Sequence, residues 1–218
     1  MMREVMSNKI KLLNSELIEM ASLVEKQIYE SMVALKNQDI ELAKEVIKND
    51  DKVDDLQKII EEKCIKFMAT ESPLARDLRS IYTTTKIVTD LERMADYAVD
   101  ICKIVPRIKG VNFSDEITPI WELVDIVNNM IKLSIEAYVN GDEKAAYEIC
   151  HMDDKVDAIY QGMFNIVLKK MGNEAEMINQ GTQILFASKY LERIGDHVTN
   201  ICEWIIFSKK GNYVDLNE

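Results

Sequence analysis

Four carboxylate pairs spaced four residues apart are the groups of this chain best suited to chemistry: Asp50/Asp54, Glu92/Asp96, Asp153/Asp157 and Glu192/Asp196. Carboxylates at i and i+4 share a helix face and come within reach of one ligand. Unliganded, such a like-charge pair costs about 0.2–0.5 kcal/mol, so it needs solvent or a counter-charge. One row continues a turn further to Asp100 and another to Asn200.

Placement says more than number. At about 100° per residue, Asp50 and Asp54 border an apolar arc of Val46, Val53, Leu56 and Ile60, and Asp153 and Asp157 one of Ile149, Val156, Ile159 and Met163. Glu92 and Asp96 flank Val88, Leu91, Ala95 and Val99, and Glu192 and Asp196 flank Ile184, Leu191, Gly195 and Val198. The acids stand on the same side of the arc each time, at the edge of a core. Two such rows on neighbouring helices bring four to six oxygens into one cluster. Converging carboxylates repel unless a cation lies between them. All-oxygen ligation suits Mg²⁺, Ca²⁺, Mn²⁺ or an oxo-bridged iron cluster better than a structural Zn²⁺ built on Cys and His. The competing reading is that Arg93, Arg193, Arg79 or Lys189 neutralises the rows as ion pairs. Spacing alone leaves both open.

Other constellations carry less. Glu148 and His151 have the ExxH spacing of carboxylate di-iron bundles, but those need two inward-facing copies and the chain has only 2 histidines. His197 is expected to be a polar surface residue with its ring directed away from the acidic row. Trp121 and Trp204 read as core or dimer contacts. Cys64, Cys102, Cys150 and Cys202 contain no CxxC pair and read as buried, reduced thiols. Neither a Gly-rich phosphate loop nor a nucleophile elbow is present.

The elements that must position these acids are helices. Apolar residues recur at helical spacing almost throughout, and only 7 Gly and 3 Pro interrupt them. The spacing predicts a first helix over about 7–36, with Leu13, Leu17, Met20, Val24, Ile28, Met32 and Leu35 on one face. Asp39 caps a second helix ending near Thr70. Ser72-Pro73 opens a third, with the proline in its first turn, reaching about Val105. Residues 106–114, with Gly110, read as a hinge. A fourth helix over about 115–139, a fifth ending near Met171 and a sixth ending near Lys209 follow, and the tail from Gly211 is expected to fray.

The second half repeats the first. Ile28, Ser31, Ala34, Asp39 and Ala43 correspond to Ile131, Ser134, Ala137, Asp142 and Ala146, and Asp50–Asp54 to Asp153–Asp157; the third-helix motif returns at Leu191–Cys202. The predicted fold is all-α: two tandem antiparallel three-helix bundles related by internal duplication, over residues 1–106 and 107–218. A net charge of −11 argues against bulk attraction to nucleic acid or anionic lipid. No apolar run approaches the ~18 residues of a membrane span, and the Met1-Met2-Arg3-Glu4 start is unlike a secretory leader, so a soluble, cytoplasmic protein is expected.

Asp90-Leu-Glu-Arg-Met-Ala-Asp96 and Tyr190-Leu-Glu-Arg-Ile-Gly-Asp-His197 resemble the PhoU family, the phosphate-specific transport system accessory proteins of bacteria and archaea. Ala75-Arg-Asp-Leu-Arg79 and the two Asp-Lys-Val-Asp segments extend the resemblance over nearly the whole chain. It implies a non-enzymatic, homodimeric regulator linking the ATPase subunit of an ABC phosphate transporter to a sensor histidine kinase. Such a regulator dampens phosphate uptake and the phosphate regulon, and meets the membrane only through its partners. It also implies metal bound by E/DxxxD motifs, as an iron cluster or as Mg, Mn or Zn. By position these ligands are Asp50, Asp54, Glu92, Asp96, Asp153, Asp157, Glu192 and Asp196, with Asp100 and Asn200 as further candidates. Arg76 and Arg79 are the candidate partner contacts, one-sided because their segment has no counterpart in the second half. Met94-Ala95 replaces the more usual Ile-Gly, and Tyr97 stands where the second copy has His197. The alternatives are a metal-dependent hydrolase or oxidase using the carboxylate clusters, and a structural bundle with ion-paired rows.

Overall fold

Polar corners fix where the helices begin. Asp39 accepts hydrogen bonds from the backbone N–H groups of Glu41 and Leu42, and Asp142 accepts one from that of Ala145. The residue before each cap is left-handed, Gln38 with φ 53° and Gly141 with φ 65°, at equivalent places in the repeat. The computed structural model describes residues 2–108 and 118–216. These form α1 (Met2–Asn37), α2 (Ile40–Thr70), α3 (Ala75–Ile104), α4 (Pro119–Asn140), α5 (Glu143–Asn173) and α6 (Met177–Lys210), with a 3₁₀ turn at Val105–Arg107. Among the described residues there is no strand, and no helix is long and apolar enough to cross a membrane. Two three-helix bundles in tandem are the observed architecture.

Several boundaries differ from the expectation. Helix α1 starts at Met2, because the buried Met6 extends its apolar stripe a turn ahead of Ser7. Pro73 lies before α3 instead of inside its first turn: Ser72 is left-handed at φ 46°, and the N-cap is the extended Leu74, which supplies no side-chain cap. The tail does not fray. The Leu216 N–H donates to the Glu203 carboxylate at 2.8 Å, and the rings of Tyr213 and Phe207 stack 4.5 Å apart. Most of the expected hinge at 106–114, and the start of the fourth helix at Asp115, lie outside the described residues.

Helices α3 and α6 form the centre. Each buries fourteen or fifteen residues, against six for α2 and five for α5, so the outer helices touch the core along one narrow stripe. Helix α3 packs on α1, α2 and α6, and α6 on α4 and α5, so buried side chains of both halves form one continuous core. Helices α1 and α4 also meet, where the Asn128 amide donates to the Glu25 carbonyl at 3.4 Å. Those two positions are repeat equivalents, 103 residues apart.

Candidate metal centres

Each half brings one outer and one central helix together at the edge of its core. Val46, Val53 and Ile60 bury one stripe of α2, and Val88, Leu91, Ala95 and Val99 one stripe of α3. That packing leaves Asp50 and Asp54 half-buried opposite Glu92 and Asp96. Burial pushes the Asp50 carboxyl up; the charges of Asp54 and Asp96 add to this, while a hydrogen bond from Gln27 opposes it. Glu92 is raised by burial and by Asp96, Asp54 and Asp50, against Arg93. The four predicted carboxylates therefore form one electrostatic group.

The second half repeats this with less relief. Asp153 faces Asp157, Asp196 and Glu192, and burial followed by those charges pushes its carboxyl up to about 7. Burial likewise raises Glu192 and Asp196, with Lys189 opposing in both. Asp153 Oδ1 and Glu192 Oε2 are buried without any hydrogen-bond partner. A buried acceptor left unpaired costs about 1–3 kcal/mol, and more if charged.

Two repeat-related substitutions account for the difference. Gln27 Nε2 donates to Asp50 Oδ1 at 2.7 Å, but the residue equivalent to Gln27 is the buried Met130, which has no donor to offer. Ala95 is matched by Gly195, where a Cβ would lie 2.4 Å from Asp153 Oδ1. The second site thus draws its carboxylate further into the helix interface. Neither Gln27 nor Gly195 was marked by the carboxylate spacing. Aligning the two halves residue by residue would have exposed both.

Cations meet only one edge of each group. Arg93 lies 3.1 Å from Asp96 and 3.5 Å from Glu92, and Lys189 pairs with Glu192. Arg79 instead donates to the Ser208 carbonyl at 3.4 Å, and Arg193 lies over the Tyr97 ring. Among the described residues, no Lys or Arg lies within 4.0 Å of Asp50, Asp54, Asp153 or Asp157. Asp100 turns to Lys103 at 2.8 Å, and Asn200 donates to Asp90 at 3.4 Å, so both further candidates are engaged elsewhere. Among the described residues, no three His, Cys, Asp or Glu side chains already stand in an arrangement that holds a metal ion. The donor set nevertheless fits a hard cation: oxygens from two helices, mutually repelling, two of them buried and unpartnered.

His197 is a correction. Its ring is not a surface group but lies between α6 and α3, with Nδ1 2.8 Å from Asp90 Oδ1. Trp204 belongs to a half-exposed aromatic cluster with Tyr82, Phe207 and Tyr213, and Trp121 lies half-buried under Lys36. Cys64, Cys102 and Cys202 are buried and Cys150 partly so, all free; burial pushes the thiols of Cys64 and Cys102 up to about 12. Glu148 pairs with Lys144 and His151 points to Asp154, both at exposed positions away from either acidic group. Arg76 is exposed on the first turn of α3.

Two copies of one up-down-up unit, each closing an outer and a central helix on a carboxylate group, define a tandem helical-bundle protein with paired acidic sites. The family model described as PhoU domain matches residues 17–105 and again 120–205. A phosphate-specific transport system accessory protein PhoU homolog of Clostridium acetobutylicum is 48% identical over the full length of both chains. The crystal structure of the phosphate transport system regulatory protein PhoU from Streptococcus pneumoniae superposes with a TM-score of 0.89 at 26% identity, covering 96% of this chain and 99% of that one. The crystal structure of PhoU from Pseudomonas aeruginosa gives 0.87 at 29%, covering 94% and 99%. The chain belongs to the PhoU family.

Proposed function

We propose that this protein is an accessory regulator of phosphate transport that carries a signal by binding and catalyses no reaction. It links the ATPase subunit of an ABC phosphate transporter to a sensor histidine kinase, lowers phosphate uptake and represses phosphate-starvation genes when phosphate is plentiful. It works in the cytoplasm as a homodimer and meets the membrane through those partners. The observation that carries the regulatory reading is the 48% identity, end to end, with a phosphate-specific transport accessory protein. Deleting the gene tests it: phosphate-starvation genes should be expressed in high phosphate, and unchanged expression would overturn it. Light scattering tests the dimer.

Cation binding is the second part of the proposal. Asp50, Asp54, Glu92 and Asp96 hold one site and Asp153, Asp157, Glu192 and Asp196 the other, with Asp100 and Asn200 joining only by releasing Lys103 and Asp90. A cation there would supply the positive charge that Asp50, Asp54, Asp153 and Asp157 otherwise lack. The chain's own contribution is geometric: apolar packing sets α2 against α3 and α5 against α6, and so brings mutually repelling carboxylates to face one another at the edge of each core. The buried, unpartnered oxygens of Asp153 and Glu192 support this part. Elemental analysis of protein purified without chelator tests it. Bound iron, manganese, magnesium or zinc should be present and be lost in Asp96→Asn plus Asp196→Asn. Metal-free native protein that takes up none on titration would leave the rows as ion-paired edges.

A further inference from the structure

A cavity of about 570 Å³ opens where the first half of α1, the start of α3, the α4–α5 turn and the end of α6 meet, well away from either acidic group in sequence. We infer that it is a binding site for a phosphate-bearing small molecule, with its anionic group held by Lys11, Arg76 and Lys209. In a chain with 38 acidic and 27 basic residues, three cations line this cavity against one carboxylate, Asp77. None of the three has a hydrogen bond or ion pair among the described residues. Ser7 and Asn14 add neutral donors, and α3 presents a first turn that no side chain caps. A guanidinium and two ammonium groups lining one cavity suit a multivalent oxyanion.

Local structure keeps this end open. Gly141 lines the cavity, and a Cβ there would lie 1.9 Å from Lys209 Nζ. At the equivalent turn of the first half, Gln38 serves in the same left-handed conformation. The Lys209 ammonium rests against the backbone of Gly141 at the cavity wall.

Size and lining describe the rest of the ligand. The volume exceeds that of a bare tetrahedral anion and lies in the usual range of small-molecule pockets, about 300–1,000 Å³. Met6, Ile10 and Leu74 add apolar wall on which an organic body would rest. Leu74 is 74% exposed, so covering it would remove apolar surface from water. This inference is independent of the cation sites.

The test is calorimetric titration of the full chain, freed of divalent cations with chelator, using inorganic phosphate, pyrophosphate and ADP as probes. At least one probe should bind. Lys11→Ala with Arg76→Ala and Lys209→Ala should weaken it by more than about tenfold, as expected for loss of charge-assisted contacts. A control variant, Lys44→Ala with Lys58→Ala and Lys144→Ala, removes the same charge from exposed positions elsewhere and should bind as the native protein does. ADP binding more tightly than pyrophosphate names an organic phosphate as occupant; equal binding of the two names the free anion. If no probe binds at millimolar concentration, or both triple variants weaken binding alike, the inference fails. Because no metal is present, failure here leaves the cation proposal untouched.

Discussion

Nδ1 of His197 on α6 lies 2.8 Å from Oδ1 of Asp90 on α3, and the repeat gives this contact an aromatic counterpart. Tyr97 stands where the second copy has His197, and Tyr190 where the first has Asp90; their rings stack 5.7 Å apart. Duplication therefore produced two equivalent α3–α6 contacts that have diverged, one polar and one aromatic. Asp90 is 9% exposed and also accepts from Asn200, so the polar contact is a small network inside the joint between the bundles.

A double-mutant cycle should resolve that network. Asp90→Ala leaves two donors unpaired and is expected to cost about 2 kcal/mol, whereas His197→Ala, which leaves Asn200 on Asp90, should cost about 1 kcal/mol. Urea unfolding of both singles and the double should give a coupling of about 1 kcal/mol. Additive losses would mean that the pair contributes no interaction of its own.

Asp153 predicts a pH dependence. Its carboxyl stands at about 7 in the folded chain against an ordinary 3.8, raised by burial and by Asp157, Asp196 and Glu192. Between those values the folded chain keeps a proton that the unfolded chain has released. Stability of metal-free protein should therefore fall as pH rises from about 4 to about 7 and then level off. Asp153→Asn removes this penalty. It should be more stable than the native protein at pH 8, by on the order of 1–2 kcal/mol after solvent screening of a half-buried group. The two should be equally stable near pH 4. Urea midpoints in chelator at both pH values check this, and an equal gain at the two would contradict it.

How far the sequence foretold this clustering of carboxylates depends on which interactions are local. The i,i+4 acids at the edge of an apolar arc follow from helical geometry, so Asp50, Asp54, Glu92 and Asp96 were legible, as were the caps Asp39 and Asp142. Contacts between helices distant in sequence were not. The ring of His197 turns away from the acidic row as its angle requires, but the face it turns to is occupied by α3 and not by water. Tyr213 and Leu216 look like an ordinary frayed end until Phe207 and Glu203 are seen beneath them. Pro73 suits a first helical turn, yet left-handed Ser72 and extended Leu74 delay the start of α3 to Ala75.

The folded tail makes its own prediction. Tyr213 stacks on Phe207 and meets Trp204 edge-on at 5.8 Å, while Leu216 N–H satisfies the Glu203 carboxylate. Removing residues 212–218 exposes one side of Trp204 and should cost on the order of 1–2 kcal/mol. In a Trp121→Phe background the emission of Trp204 should shift to longer wavelength. Unchanged emission and unfolding midpoint would show that the tail contributes nothing in solution.

Gly195 offers the sharpest test of how the two acidic sites differ. A Cβ at this position would lie 2.4 Å from Asp153 Oδ1 and 3.4 Å from Val156 Cγ1, so the half-buried Asp153 carboxylate would have to leave its place in the α5–α6 interface. Gly195→Ala should therefore destabilise the protein by about 1–3 kcal/mol, as overpacking does, despite alanine's better helix propensity. The first half already carries the larger residue, Ala95, and there Gln27 holds Asp50 with a donor that Met130 cannot supply. Adding Met130→Gln to Gly195→Ala rebuilds the first site's arrangement in the second half, and the double variant should recover at least part of the loss. The reverse change, Ala95→Gly, creates no clash and should cost about 1 kcal/mol, the ordinary penalty of glycine in a helix. If Gly195→Ala unfolds at the native urea midpoint, close approach of α5 to α6 is not what requires glycine there. If Met130→Gln fails to help, the two sites differ by more than one hydrogen bond and one methyl group.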